Sequence, residues 1–358
     1  MYKQNIYAKA TIRARDSQSM SKSSKFKNFV YARAPLRLSL AGGGTDFPEY
    51  FEHHNGTVIC SAALDFYVHV NVRRLSDLFD EKYRLEYYDV EHCNEIDEIR
   101  NDIIRGVFTL LSWDIPVHIS TVSDIPSSSG LGSSSAFTVA LILALKRLRD
   151  NMAPSPDELV AMAIEVELDI LGRSMGIQDC LPAAFGGFQI FNLITRHNIE
   201  NESAPLNKLE NLIEKNCFAM VWTGGQRESA SVLEEQRDRI PLCYDGYARV
   251  KEGALQLRAE LLSSNSADSF LTTLIKVVNV SQDEKIKFSS NVVSKEILDL
   301  MKSLRSSGAD AQRLIGAGNG GFILAVSNKP FINRLIRKNF RVLIPKFSRS
   351  GAEIRFEE

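Results

Sequence analysis

From Phe29 onward, apolar and polar positions alternate. In FVYARAPLRLSLAGGGTDFPEYF, Leu36, Leu38 and Leu40 recur at every second position until three glycines stop the run, which predicts a strand ending in a turn. TVICSAALDFYVHVNVRRL (57–75) and YRLEYYDVE (83–91) are rich in β-branched and aromatic residues and read as two further strands. Over 95–113 the period changes, with Ile96, Ile99, Ile103, Val107 and Leu110 on one side of a helix. PVHISTVSDI returns to strand and runs straight into IPSSSGLGSSSAF (125–137), which packs six serines and two glycines into thirteen positions. A strongly apolar helix over 136–150 follows, with Val139, Leu141, Ile142, Leu143 and Leu145.

Pro154-Ser155-Pro156-Asp157 then signals a helix start for ELVAMAIEVELDIL, and FGGFQIFNL (185–193) reads as a strand. The polar, irregular stretch 195–205 marks a domain boundary. Beyond it the pattern predicts a strand at CFAMVWTG, helices near 228–239, 245–263, 266–280 and 291–306, and strands at AQRLIGAG and GFILAVS. A helix at 330–338 and a strand near RVLIP or AEIRFE end the chain. Strands and helices mix without regular βαβ alternation, which gives an α+β fold class in two domains, 29–200 and 201–358.

Composition narrows the class. A chain of 358 residues and 40.1 kDa suits two domains, and 44% hydrophobic with 24% charged residues is ordinary for a soluble enzyme. The net charge of −1 offers no general pull toward nucleic acid or anionic membrane, and no apolar run is long enough to span a bilayer. Cys60, Cys93, Cys180, Cys217 and Cys243 are odd in number and scattered, against a disulfide framework or zinc cage and in favour of a reducing cytoplasm. Residues 1–28 carry seven Lys/Arg, one acid and a serine cluster, and read as a disordered tail without catalytic residues.

The serine-glycine stretch carries the strongest chemical signal. A strand, a loop with Gly130 and Gly132, and an uncapped helix would turn backbone N–H groups and the positive helix end toward an anion, phosphate being the natural ligand. The hydroxyls of Ser133, Ser134 and Ser135 can donate to phosphate oxygens or ligate Mg²⁺. The stretch is neither a Walker A loop nor a Gly-x-Ser-x-Gly elbow. Its plain alternative is a serine-rich linker, which rarely separates a buried strand from an apolar helix. GAGNGGF (316–322) reads on spacing as a hairpin turn at Asn319-Gly320. Gly42-Gly43-Gly44 before Thr45-Asp46 is either a strand-ending turn or a hold for sugar hydroxyls. Asp179 follows a helix bearing Glu165 and Glu167; one carboxylate could take a proton and another hold a metal, or all could be solvated.

Taken in order, APLRLSLAGGGTD, PSSSGLGSSSA, GIQD and GAGNGGF resemble the three motifs and the intervening acid of the GHMP small-molecule kinases, from Tyr31 to the C-terminus. RAPLRLSLAGGGTD, QD followed by AAFGGF, and TGGQRESASVL are most similar to the heptose 7-phosphate kinases of that family. The resemblance implies a ribosomal-protein-S5-like domain followed by a ferredoxin-like one, and phosphoryl transfer from Mg²⁺-ATP to the C1 hydroxyl of a sugar phosphate. It implies that Pro126, Ser127, Ser128, Ser129, Gly130, Leu131, Gly132, Ser133, Ser134 and Ser135 wrap the ATP phosphates. Ser134 and Glu167, with Glu165 as rival, would hold Mg²⁺.

By the same resemblance, Asp179 orients or deprotonates the attacking hydroxyl and Arg37 neutralises the charge in transit. Gly43, Gly44, Thr45 and Asp46 would face the sugar, Gly318, Asn319 and Gly320 would close over it, and Arg227 would bind a substrate phosphate. Partners are then the small sugar phosphate and ATP, with neither nucleic acid nor membrane; a homodimer stays open. Arg313, Asn319, Ile177 and Cys180-Leu181-Pro182 depart from the usual pattern. They leave room for a kinase of another sugar such as fucose, or a regulator that binds sugar and ATP without transfer.

Overall fold

Strand β1 (Phe29–Ala41) buries Leu36, Leu38 and Leu40 completely, as their alternation predicts. Arg37 and Ser39 between them are buried as well, because the opposite face of β1 looks into a cavity and not into solvent. The chain is described here from a computed structural model covering residues 27–225, 230–263 and 266–358. The expected tail through residue 26 and Arg227 lie outside the described residues.

After the single turn α1 (Pro48–Phe51), β2 (Thr57–Arg74) runs antiparallel to β1. The strand expected over 83–91 is a hairpin, β3 (Tyr83–Glu86) and β4 (Val90–Cys93), closed by a Tyr87 N–H to Asp89 carbonyl bond of 2.9 Å. The helical stretch 95–113 divides into a 3₁₀ turn, Ile96–Glu98, and α2 (Asp102–Leu111), whose first turn is capped by the Asn101 side chain. β5 (Val117–Ser123) leads through the serine loop into α3 (Ser133–Asp150), buried on all sides between Ser135 and Leu145. Among the described residues no helix is long and apolar enough to cross a membrane.

α4 (Pro156–Ile164) opens on a capping box between Ser155 and Glu158, and its continuation Glu165–Ile170 is wound as a π-helix. A 3₁₀ turn, Ile177–Asp179, and α5 (Cys180–Phe185) precede β6 (Phe188–Thr195). Stretch 195–205, expected to be irregular, instead contains β7 (Asn198–Ser203), paired antiparallel with β6. Its side chains are almost all exposed, so the strand is held by backbone bonds and leaves no alternation in the hydropathy.

The second half places α6 (Asn207–Glu214), β8 (Phe218–Trp222), α7 (Ala230–Asp238), α8 (Tyr244–Leu262), α9 (Ala267–Phe288) and α10 (Lys295–Ser306) in sequence. β9 (Ala311–Leu314), β10 (Phe322–Val326), α11 (Ile332–Arg337), β11 (Val342–Leu343) and β12 (Glu353–Glu357) complete it. The first sheet has the order β12-β1-β2-β5-β3-β4, with β6 and β7 added on the first half of β2; the second is antiparallel in the order β11-β8-β10-β9. Thus the last strand returns to pair with β1. In β8 the two-residue period divides the packing. Phe218 and Met220 join the core that runs through α3, α8 and α9 to the first sheet, while Ala219 and Val221 join a smaller core under α10 and α11.

Candidate active site

α3 begins at Ser133, three residues earlier than the apolar pattern suggests, so the serines form its first turn. Its N-cap is Gly132 in the left-handed region (φ +74°), with no side-chain cap and no acid in the first turn. The N–H groups there are left for an external acceptor. The loop before it is tied to β1, where the Arg37 N–H donates to the Leu131 carbonyl at 2.9 Å and Arg37 Nη1 to the Gly130 carbonyl.

The third glycine cluster is the β9–β10 hairpin connection, and it also lies directly against this loop. A Cβ on Gly316 would come within 2.5 Å of Gly130 Cα, and one on Gly321 within 2.1 Å of the Ser129 carbonyl oxygen. Asn319 keeps its turn in the left-handed region (φ 61°) and donates its N–H to the Val292 carbonyl at 2.6 Å.

Between the two glycine clusters opens a cavity of about 700 Å³, whose wall includes Arg37, Asp46, Ser134, Arg173, Asp179 and Lys285. Asp179 ends the 3₁₀ turn and accepts from Arg37 Nε (2.9 Å) and Nη2 (2.7 Å), both on Oδ1. A Cβ on Gly132 would stand 3.4 Å from the Asp179 carboxyl carbon, so the acid sits at the N-terminus of α3. An acid, a guanidinium and an uncapped helix N-terminus converge on one point.

Asp46, expected to contact the sugar, lies in the cavity wall and also ties the site together. Only 2% exposed, it accepts from the Gly44 N–H (2.8 Å), the Gln178 N–H (3.1 Å) and Gln178 Nε2 (3.1 Å), fastening the first glycine turn to the segment that bears Asp179. A Cβ on Gly176 would lie 1.9 Å from Asp46 Oδ2, so any other residue there would displace the Asp46 carboxylate. Burial, and secondarily the charge on Asp179, push the Asp46 carboxyl from the ordinary 3.8 up to about 6. Stability linked to this group is therefore present at low pH and lost as pH rises through about 6. Asp46→Asn removes that dependence. Its stability relative to wild type, read by chemical denaturation, gains about 1 kcal/mol between pH 5 and pH 7.5. A pH-independent difference would show that Asp46 does not titrate in this range.

Other expected positions move. Thr45 is fully buried and turned from the cavity, its hydroxyl bonded to the Gly42 carbonyl (2.7 Å) and to Thr57 Oγ1 (2.6 Å), whereas Gly43 and Gly44 line the wall. In the serine loop Ser128, Gly130, Gly132, Ser133, Ser134 and Ser135 line it; Pro126, Ser127, Ser129 and Leu131 do not, and Leu131 belongs to the core. Gly318 and Gly320 reach the cavity and Asn319 does not.

Of the two candidate acids for a metal, Glu165 is exposed and Glu167 is 2% exposed beside α3. Glu167 accepts from Ser135 Oγ (2.9 Å) and Thr138 Oγ1 (3.1 Å), and burial pushes its carboxyl up to about 7. Arg173 Nη1 donates to Ser134 Oγ at 2.9 Å and lies 3.9 Å from Glu167 Oε1, so one cationic nitrogen stands between the hydroxyl and the carboxylate. Hard oxygen donors flanking a position already taken by positive charge fit Mg²⁺. Among the described residues no cluster of three or more His, Cys, Asp or Glu is placed to hold a metal. An ion held here by Ser134 and Glu167 would need further ligands such as phosphate and water, the usual habit of Mg²⁺. Arg173 and its 2.7 Å partner Asp102, like Lys285, carry no motif in the sequence, where Arg313 stands out only as a departure from the family pattern.

Residues 102–187 match the family described as GHMP kinases N terminal domain. Over 309 residues the chain is 28% identical to D-glycero-alpha-D-manno-heptose 7-phosphate kinase of Campylobacter jejuni, covering 82% of this chain and 88% of that one. It is 25% identical to a galactokinase of Thermotoga petrophila, covering 83% and 89%. A crystal structure of a D-glycero-D-manno-heptose 1-phosphate kinase from Bacteroides thetaiotaomicron shares the fold with a TM-score of 0.71 at 21% identity, over 91% of this chain and 99% of that one.

Proposed function

We propose that the chain is a GHMP-type phosphotransferase that carries the γ-phosphoryl group of ATP to the C1 hydroxyl of D-glycero-D-manno-heptose 7-phosphate, giving the 1,7-bisphosphate. The observation that carries the chemistry is the Asp179–Arg37 pair at the uncapped N-terminus of α3, under the abutting glycine loops. The heptose acceptor rests on the relative named above.

In this reading the N–H groups and hydroxyls of the first turn of α3 hold the nucleotide phosphates. Asp179 receives or orients the proton of the C1 hydroxyl while Arg37, fixed on Asp179 and the Gly130 carbonyl, meets the charge of the moving phosphoryl group. The sugar oxygen forms its bond to phosphorus as the bond to the ADP oxygen breaks. Gly318 and Gly320 border the acceptor from the second sheet, and Asp46 holds Gln178 and Asp179 in register. Ser134 and Glu167 are the residues that would hold Mg²⁺, which supplies charge neutralisation on the phosphates when bound. The five cysteines are all free, as suits a reducing cytoplasm.

An ADP-release assay over heptose 7-phosphate, other sugar phosphates, galactose, fucose and mevalonate tests the assignment. Heptose 7-phosphate is expected to give the highest kcat/KM. A higher value with an unphosphorylated sugar reassigns the acceptor, and nucleotide and sugar binding without turnover leaves a regulator. Ser134→Ala is expected to raise the Mg²⁺ concentration for half-maximal rate by about tenfold, and an unchanged Mg²⁺ titration would take Ser134 out of the metal site.

A further inference from the structure

The cavity wall formed by β1, α9 and β9 carries two cations that make no ion pair among the described residues. Lys285 Nζ donates to the carbonyls of Leu314 (3.0 Å) and Gly316. Arg313, 5% exposed, donates from Nη1 to the Leu40 carbonyl (3.2 Å) and from Nη2 to that of Ser39. Beside them two buried hydroxyls have no hydrogen-bond partner. These are Ser281 Oγ, one turn before Lys285 on α9, and Ser39 Oγ, on the strand whose carbonyl holds Arg313. All four residues line the cavity, with Arg37 as a third positive group.

Left to itself this arrangement is unfavourable. Buried unsatisfied hydroxyls cost free energy, and like charges at close quarters repel. The repulsion is visible in Lys285, whose ammonium is pushed down to about 7 by burial and by the charges of Arg313 and Arg37. A multiply charged anion with several acceptor oxygens would relieve every one of these costs at once. Its place is on the acceptor side, since a Cβ on Gly43 would stand 3.1 Å from Ser39 Oγ, next to the turn Gly43-Gly44.

We propose that Lys285, Arg313, Ser281 and Ser39 form the receptacle for the phosphate that the acceptor already carries and does not exchange. This rests on the reading of the acceptor as a sugar phosphate. It assigns that phosphate to groups within the described cavity, a role the sequence had suggested for Arg227.

The test compares Lys285→Met, Lys285→Arg and Ser281→Ala with wild type on heptose 7-phosphate and on the same heptose without its phosphate, at saturating Mg²⁺-ATP. Lys285→Met is expected to raise KM for the sugar phosphate by about 30-fold while KM for ATP stays within about threefold, so that the preference for the phosphorylated sugar collapses. Ser281→Ala, a small change that leaves the backbone bonds in place, is expected to move the same preference by about fivefold, and Lys285→Arg to recover most of it. An unchanged preference in both Lys285→Met and Ser281→Ala overturns the receptacle. An equal rise in KM for ATP overturns it too, by giving these cations to the nucleotide. A wild type that favours the unphosphorylated heptose overturns the acceptor reading itself, a failure visible before any variant is made.

Discussion

Asp179→Asn lowers kcat by about 10²- to 10⁴-fold while nucleotide affinity changes by less than about threefold. The asparagine has the shape of the aspartate, and because both Arg37 bonds fall on Oδ1 its carbonyl can keep them. What it cannot do is take a proton or place a full negative charge beside the attacking hydroxyl. In the proposed reading nucleotide phosphates would be held by other groups, those of the first turn of α3, so calorimetric titration with an ATP analogue would report on a site that the substitution leaves standing. Turnover within a few-fold of wild type would remove Asp179 from the reaction and leave it a structural partner of Arg37.

The second large effect comes from the contact between the glycine clusters. Gly130→Ala places a Cβ 2.6 Å from the Ile315 carbonyl oxygen, at a residue whose φ is +80°. Neither obstacle is a flexible side chain, so the serine loop and the β9–β10 connection have to part. The expected cost is about 3 kcal/mol or more in stability, with nucleotide affinity down by about 100-fold. Gly172→Ala is the matched control. It has a similar φ of +62° with nothing within 4 Å of the added methyl, so it bears only the backbone term of about 1 kcal/mol. Equal effects of the two substitutions, by thermal melting and ATP-analogue titration, would show that loop contact contributes nothing to the site.

Much of this site is legible in the chain because its main parts are local. The alternation of Leu36, Leu38 and Leu40 orients Arg37, and the change from glycine and serine to apolar residues announces the helix end at Gly132. Where the sequence falls short, the cause is pairing at long range. Lys285 sits in an ordinary-looking helix and Arg313 reads only as a departure from the family pattern, until β9 brings Arg313 against Ser39, 274 residues away. Asp46 reads as a sugar ligand, and nothing local in the chain shows that Gln178, 132 residues on, also bonds it. β7 escapes detection for a different reason, since an edge strand polar on both faces has no hydropathy signal.

Phosphorus NMR of the product formed from Mg²⁺-ATP and D-glycero-D-manno-heptose 7-phosphate tests the central claim most directly. The expected result is a new anomeric phosphate signal coupled to the C1 proton, with the 7-phosphate retained and one ADP formed per sugar. ADP formation without an anomeric phosphate, or no turnover of this sugar beside ready turnover of galactose or mevalonate, would contradict it.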